Sequence, residues 1–229
     1  MNQSRNDQTT RRNFLKASTI LTAGGLILPA TGVLAQAQGT KLQGTQTEQN
    51  LLKAFAGESQ ARNRYTFFAE RARGEGYMQI AAIFEETADH EKIHAKRFFS
   101  FLKGGTVTIE AGFPAGVVGD TEANLEASAA GEHEEWAVLY PQFAKVAADE
   151  GFADVEKLFK AVAVAEKMHE ERYRDFLKNI AEDLVFARKD AVLWQCRNCG
   201  YTHKGREPEA SCPACAVPQA YFQLFVPNW

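Results

Sequence analysis

Two short stretches of this chain put ionisable residues where a helix should be apolar. Glu166-Lys167-Met168-His169 sits in the series Phe152, Val155, Phe159, Val162, Glu166, His169, Tyr173, Phe176 and Ile180, whose steps alternate between 3 and 4. That is the spacing of one helix face. Glu91-Lys92-Ile93-His94 does the same among Tyr77, Ile80, Phe84, Thr87, Phe98 and Phe101. A carboxylate and an imidazole on a buried face are costly unless something pairs with them, and a metal ion is one such partner. Two more inward carboxylates exist: Glu58, on the face of Leu51, Phe55, Tyr65 and Phe68, and Glu132, on that of Leu125, Ala129, Trp136, Leu139, Phe143 and Val146. Glu and His three residues apart share a helix face. Two such pairs, with one Glu from each of two further helices, make a dinuclear carboxylate site inside a four-helix bundle, an arrangement already known from di-iron and di-manganese proteins. Four carboxylates facing two divalent ions leave the site near neutral, and mixed oxygen and imidazole donors suit iron or manganese.

Three other residues bear on this set. Glu135 follows Glu132 by three positions and so reaches the same face. It is either an extra ligand, allowing a metal to change partners with redox state, or one more solvated glutamate. Tyr65 and Tyr140 are either core aromatics or hydroxyl donors to the carboxylates. His90, His133 and His203 fall off the pattern and read as surface or structural residues. Glu85, Glu86, Glu134, Glu170 and Glu171 read as a solvated face.

A second cluster lies at the C-terminal end. All four cysteines fall there, as Cys196-Arg-Asn-Cys199-Gly200 and Cys212-Pro-Ala-Cys215. Two such knuckles supply four thiolates for a tetrahedral zinc or iron site, and spacing does not choose between the metals. Two disulfides are the alternative. The nearby aromatics Trp194, Tyr201, Tyr221, Phe222 and Phe225 suit a shielded redox metal or the core of a zinc ribbon equally well.

The elements that carry these residues follow from the breaks. Helical patterns run from Glu48 to Arg73, from Tyr77 to Leu102, from Thr121 to Glu150 and from Phe152 to Phe186, divided by Gly74, Gly76, Gly104-Gly105 and Gly151. Residues 103–120, with five glycines and a proline, form a long crossover. Pro141 must kink the third helix or be accommodated locally. The two halves repeat: Glu58 matches Glu132 at an offset of 74, whereas Glu91 and His94 match Glu166 and His169 at 75. One extra residue therefore lies in the third helix. Matching Tyr65 to Tyr140 puts it between Glu132 and Tyr140, where a one-residue bulge absorbs it. At the offset of 74, the counterpart of Glu135 is Ala61.

The chain of 229 residues suffices for one full domain and a small one. Its N-terminal 37 residues carry a net +3 out of an overall −3, leaving a mildly acidic body with no nucleic-acid footprint. That leader holds Thr10-Arg11-Arg12-Asn13-Phe14-Leu15-Lys16, then an apolar run from Ala17 to Leu34 and small residues suited to cleavage after Ala35 or Ala37. It resembles a twin-arginine export signal, implying delivery of a folded, metal-loaded protein to the periplasm. Gly24, Gly25, Pro29 and Gly32 make the run a poor membrane span, so no stable span is expected once the signal is removed. Residues 38–47 read as a flexible tether, 48–188 as the bundle and 189–229 as the cysteine module.

Taken together, Phe55-Ala-Gly-Glu-Ser-Gln-Ala-Arg-Asn-Arg-Tyr65, the two Glu-x-x-His helices, Gly131-Glu-His-Glu-Glu135 and the terminal knuckles resemble the rubrerythrin family across residues 48–229. The resemblance implies a mainly α fold, a ferritin-like four-helix bundle followed by a small rubredoxin-like β/loop domain. It implies a carboxylate-bridged di-iron centre and one rubredoxin-type iron on Cys196, Cys199, Cys212 and Cys215. By resemblance, Glu91 and Glu166 bridge the irons. One iron is also held by Glu58 and exchanges Glu135 for His94 on reduction; the other is also held by Glu132 and His169. The implied activity is reduction of hydrogen peroxide to water, with an unidentified electron donor and a head-to-tail homodimer. The competing expectations are a ferroxidase or iron-handling protein and a zinc-stabilised structural module.

Overall fold

The computed structural model describes residues 41–227, so the leader and the first residues of the tether lie outside the described residues. Five helices make four rods. α1 spans Gln46–Gly74 and α2 spans Met78–Phe99. The third rod is α3 (Thr121–Glu134), a π-helical turn (Glu135–Leu139) and α4 (Tyr140–Asp149). The fourth is α5, Ala153–Ala181. α1 starts two residues earlier than its apolar pattern because Thr45 caps it, accepting from the Glu48 amide at 3.1 Å. That start lies inside the stretch read as tether. Asp120 caps α3, accepting from the Ala123 amide at 2.8 Å. The crossover forms no strand, even at Thr106–Ile109.

The duplication shows in the joints. Gly76 and Gly151 turn the chain at φ of +87° and +85°, a region that favours glycine. Tyr77 and Phe152 then open α2 and α5 with matching backbone angles, φ/ψ −96°/68° and −97°/66°. Each half also caps the other. Glu75 accepts from the Thr121 amide and hydroxyl at the start of α3, and Glu150 accepts from the Thr47 amide and hydroxyl at the start of α1. Burial works against the charge on Glu75, but the Thr121 bonds and the Arg71 guanidinium hold its carboxyl below its usual value. The folded state therefore gains from this group above its unfolded pKa, and the gain is lost as pH falls through the lower folded value. Glu75→Ala is expected to destabilise the bundle by about 1 kcal/mol at neutral pH. The difference from the parent protein, read as urea midpoints, should shrink in acid.

Two apolar clusters fill the bundle, one on each side of a polar middle layer. The first includes Tyr65, Phe68, Ile80, Phe84, Leu125 and Tyr173; the second includes Leu51, Phe98, Tyr140, Val155, Phe159 and Val162. In the third rod the buried face shifts by one residue after the π turn, to Tyr140, Ala144 and Ala147. Trp136, Leu139, Phe143 and Val146, expected inward, are only partly buried. The extra residue of the second half lies here, as the offset required. It lets Tyr140 face inward eight residues after Glu132, as Tyr65 does seven after Glu58.

The C-terminal module is a small antiparallel sheet of order β2-β1-β3, built from Val192–Cys196 (β1), Thr202–Gly205 (β2) and Phe222–Leu224 (β3). Buried Trp194 and Phe222 pack with Cys196 and Cys212. The module touches the joint between α1 and α2: a Cβ at Gly76 would lie 3.8 Å from the Ala220 Cβ. No helix among the described residues is long and apolar enough to cross a membrane.

Candidate metal centres

The helix faces bring the inward residues into one buried layer. Glu58, Glu91, Glu132 and Glu166 are almost completely buried, and His169 nearly so. They form two overlapping groups. Glu58, Glu91, His94 and Glu166 have donor atoms within 4.8 Å of one another, as do Glu91, Glu132, Glu166 and His169. Glu91 and Glu166 belong to both groups, because each is the Glu of a Glu-x-x-His pair at the centre of the bundle. His94 Nδ1 lies 2.9 Å from Glu91 Oε2 and 2.9 Å from Glu166 Oε1. His169 Nδ1 lies 2.7 Å from Glu166 Oε2 and 3.3 Å from Glu91 Oε1. Both histidines thus present the same ring nitrogen to the carboxylates.

The tyrosines are hydroxyl donors. Tyr65 donates to Glu132 Oε1 at 2.5 Å, and Tyr140 donates to Glu58 Oε1. Each crosses to the carboxylate of the opposite half. Burial, then the nearby carboxylates, push both phenols well above their usual range, so they stay protonated donors. Glu135 lies in neither group and is partly exposed. Its Oε1 leans toward α1, where a Cβ at Gly57 would lie 3.8 Å away. It lines a cavity of about 850 Å³ together with Tyr65, Tyr140 and Phe113 of the crossover.

The electrostatics fit a pair of cations. Burial and then Glu166 push Glu58 up; burial and then Glu91 push Glu132 up; burial and then Glu58 push Glu135 up. Burial opposes the charge on Glu91, but bonds from His169 and His94 pull its carboxyl down. Burial opposes the charge on His169 too, yet Glu166 and Glu91 raise it to about 9. Protons held by imidazole and carboxyl groups thus stand in for metal charge. Glu58 Oε2, Glu91 Oε1 and both oxygens of Glu166 are buried without a well-aligned hydrogen bond, the His94 and His169 Nδ1 atoms meeting them as ion-pair contacts. Such orphaned acceptors, around converging imidazoles, are the donor set two divalent ions require.

One reading of an isolated residue changes and another gains a partner. Glu170, expected in a solvated face, is buried. It accepts from Trp136, from Arg174 at 2.6 Å and pairs with His133 at 3.0 Å. It follows Glu166 by four positions, a spacing that already placed it on the inner face. His90, expected to be a surface or structural residue, is both, being exposed and hydrogen-bonded to His169 at 3.1 Å. Only the packing of α2 against α5 reveals that contact.

In the C-terminal module the four Sγ atoms also lie within 4.8 Å of one another. Cys196 and Cys215 are 3.8 Å apart and Cys199 and Cys212 3.6 Å, and all four are free thiols, not disulfides. About 3.8 Å is the edge of a tetrahedron with bonds of about 2.3 Å to a central metal. Each knuckle closes on itself, Gly200 N to Cys196 O at 2.9 Å and Ala216 N to Cys212 O at 2.8 Å.

A helical bundle with two carboxylate–imidazole half-sites sharing two glutamates defines a ferritin-like dinuclear-metal protein, here joined to a four-cysteine ribbon. The chain belongs to the rubrerythrin family: the Rubrerythrin family pattern matches residues 49–177, and that described as Rubrerythrin, rubredoxin-like domain matches 194–223. It is 54% identical to the rubrerythrin of Nitratidesulfovibrio vulgaris over 188 residues, 82% of this chain and 98% of the relative. It is 54% identical to the rubrerythrin of Porphyromonas gingivalis, over 82% of this chain and 94% of the relative. Among solved structures, mixed-valence nigerythrin is similar with a TM-score of 0.54 at 34% identity, covering 82% of this chain and 90% of its own. The di-iron carboxylate site and the four-cysteine cluster at Cys196, Cys199, Cys212 and Cys215 fit this family.

Proposed function

We propose that the protein is a non-haem di-iron peroxidase that reduces hydrogen peroxide to water as a defence against oxidative stress. The observation that carries this is the pair of half-sites sharing Glu91 and Glu166 in a chain that also holds a four-sulfur site. Glu58 and His94 would hold one iron and Glu132 and His169 the other, with Glu91 and Glu166 common to both. When bound, the two ferrous ions supply the two electrons that peroxide reduction needs, and the four-cysteine iron supplies their replacement. Tyr65 and Tyr140 hold Glu132 and Glu58 in place by hydrogen bonds from the opposite half. Glu135, at the wall of the cavity, is the carboxylate free to approach the Glu58 side in exchange with His94.

The cysteine module meets the bundle at Gly76, and Glu91 lies fifteen residues further along, about 22 Å at 1.5 Å per residue. A head-to-tail homodimer, placing one chain's module on its partner's bundle, shortens that path. The donor that reduces the module remains to be identified by its reaction with the purified protein. The proposed function includes export to the periplasm by the twin-arginine route, supported by the motif at residues 10–16 of the leader.

The test is anaerobic reduction followed by rapid mixing with peroxide. Re-oxidation of the iron-loaded protein within the mixing experiment, with two electrons consumed per peroxide, is the expected result. Slow re-oxidation by peroxide but fast re-oxidation by oxygen points to an iron-handling ferroxidase and sinks the peroxidase reading. A colourless four-cysteine site that does not bleach on reduction points to a zinc module. Glu135→Ala is expected to keep the helical circular dichroism and slow peroxide turnover roughly tenfold, about 1.4 kcal/mol in the barrier. Unchanged turnover removes Glu135 from the cycle.

A further inference from the structure

The two halves of the site are related by duplication, yet their histidines are held differently. Facing the carboxylates, His94 and His169 both use Nδ1. On the far side, His169 Nε2 lies 3.1 Å from His90 Nδ1. The two rings are within 11° of parallel with centroids 5.3 Å apart. That separation is the N···N distance plus one ring radius at each end, so the rings meet end-on in a directional hydrogen bond and not face to face. All polar contacts of His94 are made through Nδ1. At the duplication offset of 75, the counterpart of His90 is Ala165, which has no group to offer. Ala165, His90, His94 and His169 line one cavity of about 800 Å³ between α2 and α5.

From this asymmetry we infer that His90 is a positioning residue that pins His169, and that Ala165 at the matching place leaves His94 unpinned. The inference rests on the dinuclear reading and deepens it. With Nδ1 of His169 turned to a metal, its proton must sit on Nε2, and His90 Nδ1 accepts it. That bond sets the tautomer, fixes the ring plane and raises the basicity of the ligating nitrogen. His94 lacks such a tie and is the imidazole able to swing away from its half-site. A single position, occupied by His in one half and Ala in the other, thus decides which histidine stays and which one moves.

The experiment uses the full chain with its dinuclear site stripped and then titrated anaerobically with ferrous iron alone. His90 is exposed, so His90→Ala should fold as the parent does. It is expected to weaken one of the two ferrous sites by about 10–100-fold, the usual effect of losing an outer partner of a metal-bound histidine. His90→Gln, which keeps an acceptor, should restore most of the affinity. In the zinc-loaded chain, the His169 Nε2 proton should give a protected downfield nuclear magnetic resonance signal that survives in H90Q and disappears in H90A. Ala165→His, placed where the cavity leaves room, should tighten the His94 half-site. Parent-like affinities in H90A, with the protected proton retained, overturn the pinning role. A parent chain that takes up fewer than two ferrous ions overturns the dinuclear reading itself, a result separable from the first.

Discussion

Adding two equivalents of ferrous iron to the metal-free protein under anaerobic conditions is expected to raise the thermal midpoint of the bundle by at least about 10 °C. An ion present at a thousand times its Kd stabilises the state that binds it by about 4 kcal/mol, and in a domain of this size each kcal/mol moves the midpoint by about 2–4 °C. The effect is large because the metal-free layer is unfavourable. Four buried glutamates face one another, several of their oxygens lack a well-aligned hydrogen bond, and Glu58 and Glu132 are pushed toward their neutral forms. Two cations remove that repulsion and satisfy those oxygens together. The response should also be graded by geometry. Glu91 and Glu166 serve both half-sites, so Glu91→Ala or Glu166→Ala is expected to abolish nearly all of the iron-induced shift. Glu58 and Glu132 each serve one, so Glu58→Ala or Glu132→Ala should leave part of it. Differential scanning calorimetry with and without iron reads both. Equal losses from shared and unshared glutamates would contradict the overlapping arrangement.

Cys212→Ser is expected to unfold the C-terminal module while leaving the helices intact. From the start of β1 at Val192 to the end of β3 at Leu224 the module spans 33 residues, below the about 40 at which an apolar core alone holds a fold. Its core amounts to Trp194, Phe222 and a few partly buried neighbours packed on two of the cysteines. A four-thiolate metal site contributes about 10 kcal/mol or more to such a fold. Cys212 is buried, and its carbonyl and amide close the second knuckle through Ala216 and Val217. Losing one thiolate therefore removes both the metal and the point on which the loops converge. Limited proteolysis should cut the variant after the bundle and leave a helical core of unchanged circular dichroism. Parent-like resistance of the module would show that its apolar packing suffices without the metal.

Much of this was legible in the chain because helices translate spacing into direction. Steps of 3 and 4 around Glu91, His94, Glu166 and His169 put four ligand-type residues on inner faces, and the offsets of 74 and 75 located one extra residue between Glu132 and Tyr140. The π turn at Glu135–Leu139 is where it went. The same spacing misled beyond that turn, since an added residue rotates the following helix and moves burial from Val146 to Ala147. Cysteine knuckles were equally legible, because a four-sulfur site is built from two local turns. What sequence could not supply were contacts between rods. The donation of Tyr65 to Glu132 and of Tyr140 to Glu58 joins opposite halves. The spacing of Glu170 from Glu166 points it inward, but its partners Trp136 and His133 come from the third rod. His90 reads as a surface or structural residue, but that its partner is His169 follows only from the packing of α5. A helix face is decided within a few residues of chain, whereas the partner of that face depends on residues 30 to 90 positions away. For that reason the chain determined which side chains enter the metal layer, and only the tertiary structure decided which of them hold one another.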